Sequence, residues 1–358
     1  MRITRIEPTV VRLPAAKTLS LPVDGTSPRK TTDRFAIYVQ VETDAGPAGL
    51  GFGAFSAGVP AIISLIRDDL TPVLLGADPI DHERLYSLAN SLDYSGISIA
   101  YALIDIALWD IKAKAAGVPL WKLLGGARDR TPIHCSDTAA AGLSAEEAIS
   151  LGRTAISRGM RGVRIGLAGS DPEADAQAAQ TVHDALGEDI WFGISVQKPY
   201  DYETALPMGR FIEEEIGADW FEDPLADDDV ESYARLCQRI DTPLAAGSRF
   251  TSVAQFVRLL DSGARVILRP DVLRVGGITP WLKVAAYAEV LRRPVVPHGN
   301  TEVSIHLACG LPGVQAADHI SECSSLFTGQ FKIANGAAIA PDGSGLGLAL
   351  NASRAASA

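Results

Sequence analysis

Ile3–Arg12 and Arg34–Thr43 are rich in β-branched and apolar residues, and Asp44-Ala-Gly46 leads into a third apolar run, Ala48–Gly53. Two such runs and a return across a tight turn predict an antiparallel meander. Between the first two, Ser20–Thr32 is mostly polar and holds Pro, Gly, Ser and the basic pair Arg29-Lys30, which predicts a flexible surface flap. Helical periodicity takes over at Val59–Leu75, Asp81–Ser91 and Ile97–Ala116. From Ile99 the last of these, IAYALIDIALWDIKAKAAG, is apolar around much of its circumference, which predicts a buried helix ended by Gly117. LWKLLGG then closes a first module.

From Thr131 the pattern becomes regular. PIHCS precedes helical Ala145–Arg158, GVRIGL precedes Pro172–Leu186, IWFGIS precedes Tyr202–Ile216, and DWFED precedes Val230–Ile240. PLAAG precedes Val253–Asp261, ARVILRPD precedes Trp281–Leu291, PVVPHGN precedes one more helix, and HISE ends the series. Strand and helix alternating at a spacing of roughly 25–30 residues predict an α/β fold, a (β/α)7β TIM-like barrel. The expected organisation is an N-terminal α+β capping domain over 1–127, the barrel over 128–328 and a tail over 329–358. The tail is too rich in glycine for a helix and is expected to return to the capping domain.

Composition narrows the class. The 358 residues, 47% apolar and 21% charged, suit a globular protein with a sizeable core. A net charge of −11 argues against nucleic acid or an anionic membrane as partner. MRITRIEPTVVRLP lacks the apolar run of a signal peptide, and no window approaches the ~18 apolar residues of a membrane span. Cys135, Cys237, Cys309 and Cys323 are scattered, so free thiols in a reducing cytoplasm are expected.

Barrels keep their chemistry at the carboxyl ends of the strands. Here those ends carry Cys135–Asp137, Arg164, Ser195 with Gln197, Glu222 with Asp223, Ser248 with Arg249, Asp271, His298 and Glu322. His298 and Asp271 at neighbouring tips form a candidate base and its orienter. The plainer alternative is that Asp271 caps a turn and His298 is an ordinary buried histidine. His134 and Cys135 are further candidates for the pocket, whereas His82, His183 and His306 fall on helices and read as structural. Gly49-Leu-Gly51-Phe-Gly53 looks like part of a nucleotide loop but leads from a meander, so a close-packed turn is the better reading.

Several of these stretches resemble one family. AYALIDIALWDIKAKAAGVPLWKLLGG, WFEDP, RPDVLRVGGIT, PHGNTEVSIHL and PDGSGLGL resemble, in order and over essentially the whole length, the mandelate racemase and muconate lactonizing enzyme branch of the enolase superfamily. The resemblance implies removal of a proton next to a carboxylate, with Mg²⁺ held by carboxylates on the third, fourth and fifth barrel strands. Glu222 matches the fourth-strand ligand. Ser195-Val-Gln197 stands where the family has Asp-x-Asn, and Gly247-Ser248 where it has Gly-Glu. Arg164-Ile-Gly166 replaces the second-strand Lys-x-Lys, and arginine cannot serve as a base. Asp271 and His298 match the family's dyad, and Glu322 its acidic eighth tip.

Taken alone, these replacements predict a site without the usual Mg²⁺, and so no cofactor. In that expectation a lyase (dehydratase) or isomerase acts on a small carboxylate such as an acid sugar or hydroxy acid. His298 is the acid/base, Asp271 its orienter, Arg164 and Arg249 a guanidinium clamp, Glu322 or Glu222 the aid to the leaving group, and Ser195, Gln197 and Ser248 further contacts. Two alternatives stay open: a non-catalytic relative that binds a ligand or partner, and a Mg²⁺-dependent dehydratase or racemase whose site is rebuilt around Glu222, Asp223 and water. The resemblance also implies a homo-oligomer, dimer or octamer. Ser20–Thr32 and Gly49–Gly58 are the segments expected to close over the barrel mouth.

Overall fold

The computed structural model describes residues 1–13, 19–23, 26–31, 34–92, 96–140, 142–328 and 331–351. Strands β1 (Ile3–Leu13), β4 (Arg34–Thr43) and β5 (Gly49–Phe55) form the antiparallel meander in the order β1-β4-β5. The expected flexible flap is instead a hairpin, β2 (Leu19–Val23) paired with β3 (Thr26–Thr31), with 24, 25 and 32 outside the described residues. Alternating Leu19, Leu21 and Val23 supply the strand pattern that the polar composition hid.

The buried helix is Ile97–Ala115, and nearly every face of it is covered. One face carries β5, whose glycines are explained by this contact: a Cβ on Gly49 or Gly51 would overlap the carbonyl oxygens of Ala107 and Leu103. The triplet of glycines is thus close packing along a strand. Two aspartates of this helix are buried joints. Asp105 accepts from Thr279 N (2.9 Å) and Thr279 Oγ1 (2.6 Å), tying the cap to the barrel helix Ile278–Val290. Asp110 accepts from Leu50 N (2.9 Å) and Leu346 N (2.8 Å), tying cap sheet to tail. The long helix expected over Val59–Leu75 divides into Val59–Ser64, a wider π-type turn Leu65–Leu70, and Thr71–Leu74. Pro72 cannot donate to the preceding turn, and the ladder shifts register there.

Strands β6 (Arg130–Cys135), β7 (Gly162–Leu167), β8 (Trp191–Val196), β9 (Trp220–Glu222), β10 (Leu244–Ala246) and β11 (Val266–Leu268) run parallel in sequence order, and β12 (Ala317–His319) pairs back onto β6. The seventh position is occupied by single bridges, Leu268 with Val295, Val295 with Val314, and Asp271 with His298. The circle is a (β/α)7β barrel. Helices such as Pro172–Leu186 and Val253–Asp261 pack outside it. The tail touches both parts: β13 and β14 (Lys332–Ala334, Ala337–Ile339) add to β6 of the barrel, and Trp121 Nε1 donates to Pro341 O at 2.9 Å. No helix among the described residues is long and apolar enough to cross a membrane.

Candidate active site

The last barrel strand ends three residues earlier than the sequence suggested, and this moves the acidic tip. Asp318, in register with His134 on β6, points into the barrel and is fully buried. Arg269 Nη2 donates to its Oδ2 at 2.9 Å, Ser136 Oγ donates to its Oδ1, and His134 Nε2 lies 3.2 Å from Oδ1. His298 Nδ1 lies 3.2 Å from Oδ2. Burial opposes the charge of Asp318, but Arg269 and the imidazoles outweigh it and hold the carboxyl well below its ordinary value. Burial pushes His134 down, toward the neutral imidazole, against the pull of Asp318.

Glu222 is the second anion of this cluster. Its Oε2 lies 3.1 Å from Arg269 Nε and accepts from Trp220 Nε1 at 3.2 Å. Its Oε1 lies 3.5 Å from Arg164 Nη1 and has no hydrogen-bond partner. Burial raises the pKa of this carboxyl, yet Arg164 and Arg269 together bring it down to about 2. Arg164, on β7, is buried. It donates to Ser136 Oγ and Ser195 Oγ, each at 2.9 Å, and Ser195 Oγ donates to Ile165 O at 3.0 Å.

The other predicted residues divide. Ser248 Oγ donates to Asp223, whose carboxyl burial pushes upward. Gln197 Nε2 donates to Ala139 O at 2.7 Å, a bond that joins two strand ends. The structure does not bring Arg249 to the Glu222 cluster: its guanidinium reaches Asp227 at 2.9 Å and Asp223 at 3.7 Å. The expected guanidinium clamp of Arg164 and Arg249 is therefore not formed, and Arg269 takes the second place. Asp271 accepts from the backbone N–H of Leu273 (2.8 Å) and Arg274 (3.3 Å), the turn-capping arrangement, while its backbone bridges that of His298. Among the described residues no side-chain hydrogen bond joins Asp271 to His298. Glu322 lies beyond β12 on a short helix and pairs with Arg34 of the cap.

Cap and barrel enclose a cavity of about 300 Å³ whose wall includes His298, Asp271, Glu302 and Glu322 from the barrel side and Arg34 with Gly53–Ser56 from the cap. The second expected closing segment therefore does line the mouth. Glu302, at the start of the Thr301–Gly310 helix, is buried, has an unpartnered Oε2, and is pushed by burial up to about 7. Arg269, Asp318, Arg34 and Glu302 were missed in the sequence. A signal existed for Arg269, which stands two positions before Asp271 and so shares its side of the strand.

A cap of meander and helices over a (β/α)7β barrel, with imidazole, carboxylates and guanidiniums at the strand ends, defines the class of capped α/β barrels. Residues 8–125 match the mandelate racemase/muconate lactonizing enzyme N-terminal domain, and 147–354 the enolase C-terminal domain-like family. The chain belongs to the mandelate racemase/muconate lactonizing enzyme family of the enolase superfamily. It is 33% identical over 362 residues to an L-talarate/galactarate dehydratase of Salmonella typhimurium, covering 98% of this chain and 89% of that protein. A crystal structure of that dehydratase liganded with Mg and L-lyxarohydroxamate superimposes with a TM-score of 0.91 at 30% identity, over 99% of this chain and 92% of that one. The L-talarate dehydratase of Polaromonas sp. JS666, complexed with Mg and L-glucarate, gives 0.90 at 32% identity over 99% and 96%.

These relatives overturn the expectation of a protein without a cofactor, since both solved dehydratases carry Mg. Among the described residues of this cluster, one carboxylate oxygen is free for such an ion. Glu222 Oε1 is a buried carboxylate oxygen with no hydrogen-bond partner; Ser195 Oγ on the flanking strand is bonded to Arg164 and Ile165 O, and Ser248 Oγ to Asp223. Hard oxygen donors completed by water are what Mg²⁺ prefers. Arg164, 3.5 Å from the same oxygen, is the group an ion there must contend with.

Proposed function

We propose that this protein dehydrates small acid sugars. A proton leaves the carbon beside the carboxylate, the hydroxyl on the next carbon leaves as water, and the enol formed becomes a keto acid. His298 carries this reading. It lines the cavity, and its Nδ1 is buried against Asp318 at 3.2 Å. With the Nδ1 proton assigned toward that carboxylate, Nε2 is the basic nitrogen left for substrate.

Asp318 is the orienter in this account, and Asp271 shapes the strand-tip turn beneath the histidine. Arg164 and Arg269 fix Glu222 and keep the buried cluster near neutral. Glu222, through its free Oε1 and with water, would hold Mg²⁺, and the ion would supply the charge stabilisation that proton removal from a weak carbon acid requires. Glu322, anchored by Arg34, lines the cavity and would aid departure of the substrate hydroxyl. Acid-sugar dehydratases among the relatives support the substrate class.

The test is turnover of a panel of aldarates and aldonates with Mg²⁺, read as keto-acid formation. Turnover of at least one member is expected. Tight binding of panel members without turnover would instead favour the non-catalytic reading.

A further inference from the structure

A second group of ligand atoms lies on the outer side of the barrel wall, away from the Glu222 cluster. His319 and Cys135 are register partners in the β12–β6 pairing, one step beyond Asp318 and His134, so their side chains leave the sheet on the opposite face. Asp137 follows two residues after Cys135, and its carboxylate is oriented by Ser321 N–H at 2.9 Å. Cys135 Sγ, an Asp137 oxygen and a His319 nitrogen all fall within 4.8 Å of one another. His319 Nδ1 is 3.6 Å from Asp137 Oδ2 and is buried without a hydrogen-bond partner. Cys135 is a free, buried thiol.

We propose that Cys135, Asp137 and His319 form a binding site for a borderline divalent transition ion, Zn²⁺ by preference. Three features carry the inference. The separation of the imidazole and carboxylate atoms is close to that spanned by two ligands at ~2.0–2.1 Å in a tetrahedral site. Thiolate, imidazole and carboxylate together select zinc over the hard cations that an all-oxygen site takes. The charges also balance: a thiolate and a carboxylate neutralise the dication inside the protein wall. The thiol proton passes to solvent as the Sγ–metal bond forms, and any proton on the ligating imidazole nitrogen leaves with it, with no change of oxidation state. Water completes the fourth position among the described residues, reached past the half-buried Asp137.

The three side chains leave the sheet on the face opposite the Glu222 cluster, so the site is tested by metal readouts that do not use turnover. The test uses the full chain, stripped with a chelator and reloaded with Co²⁺ or Zn²⁺. The expected result is a thiolate-to-Co²⁺ charge-transfer absorption that is lost in Cys135→Ser and retained in Glu222→Gln, and loss of an equimolar portion of bound Zn²⁺ in His319→Gln. In the unmodified protein, Zn²⁺ should also slow alkylation of Cys135 in urea concentrations that open the buried thiol to reagent, mapped by peptide mass spectrometry, so the test does not depend on the variants folding. Absence of the thiolate band, a band unchanged in Cys135→Ser, or Cys135 alkylated equally with and without Zn²⁺ overturns the proposal.

Discussion

Nδ1 of His298 lies 3.2 Å from Oδ2 of Asp318, a carboxylate from the eighth strand that also holds Arg269 at 2.9 Å. The contact is one of charge and distance, with no formed hydrogen bond at Nδ1, and it reaches the imidazole from inside the barrel, while the carboxylate of Asp271 is engaged with backbone N–H groups. His298→Asn and Asp318→Asn are each expected to lower kcat by roughly 10²–10⁴-fold. Asp271→Asn should change both kcat and stability little, since an amide oxygen still accepts from Leu273 and Arg274, whereas Asp271→Ala should cost about 1 kcal/mol for the lost cap. Steady-state kinetics with parallel thermal melts separates the two; a larger kcat loss in Asp271→Asn than in Asp318→Asn would return the orienting role to Asp271.

Arg164 and a cation would compete for Glu222 Oε1. Removing the guanidinium in Arg164→Met should tighten Mg²⁺ binding by about tenfold or more, since a like charge a few ångströms away costs more than ~1.4 kcal/mol at the effective dielectric of a protein. The same change leaves Glu222 less compensated, so the metal-free variant should melt earlier and gain more from added Mg²⁺. Calorimetric titration and melts with and without Mg²⁺ read both effects.

Stability should peak in mildly acid solution. Glu222, held at about 2, contributes stability that is complete above its unfolded value near 4.5 and is lost as pH falls through about 2. Asp318, also depressed, acts in the same direction. Asp105 and Glu302, raised by burial to about 7, do the reverse: their contribution is complete below their unfolded values and is lost as pH climbs through about 7. Glu302→Gln should flatten the decline above pH 4.5, by on the order of 3 kcal/mol at pH 8. Urea unfolding at a series of pH values measures this, and an unchanged slope in the variant would count against a buried neutral Glu302.

Gly51→Ala tests the seat of the cap. An added methyl meets the Leu103 carbonyl of a helix packed on all sides, with no flexible side chain to give way. A loss of ~3 kcal/mol or more is expected, well above the ~1 kcal/mol of an average substitution.

Strand and helix alternation was enough to read the barrel, because a (β/α) repeat imprints both periods on the chain. The site was harder. Glu222 was legible because it ends β9, Arg164 because the six residues of β7 fix its phase, and His298 because it is the one ionisable residue of PVVPHGN. Asp318 was not, since β12 is only Ala317–His319 and offers too few residues to fix its phase, so attention fell on Glu322. Arg269 was hidden beside Asp271, and only the pleat says that both share a side. Arg249 failed for a different reason: it follows β10 in a loop, where no periodicity constrains direction, and Asp227 claims it. The metal expectation failed because ligand identity was read from three positions alone, whereas the solved dehydratases at about a third identity carry Mg in the same fold.

The central claim is that His298 moves the proton beside the substrate carboxylate. Incubation of an acid sugar that the protein turns over, in D2O with Mg²⁺, followed by NMR, tests it directly. The account predicts keto-acid product from the unaltered protein and neither product nor deuterium exchange at the carbon beside the carboxylate from His298→Asn. Turnover or exchange persisting at the unaltered rate in His298→Asn would contradict it.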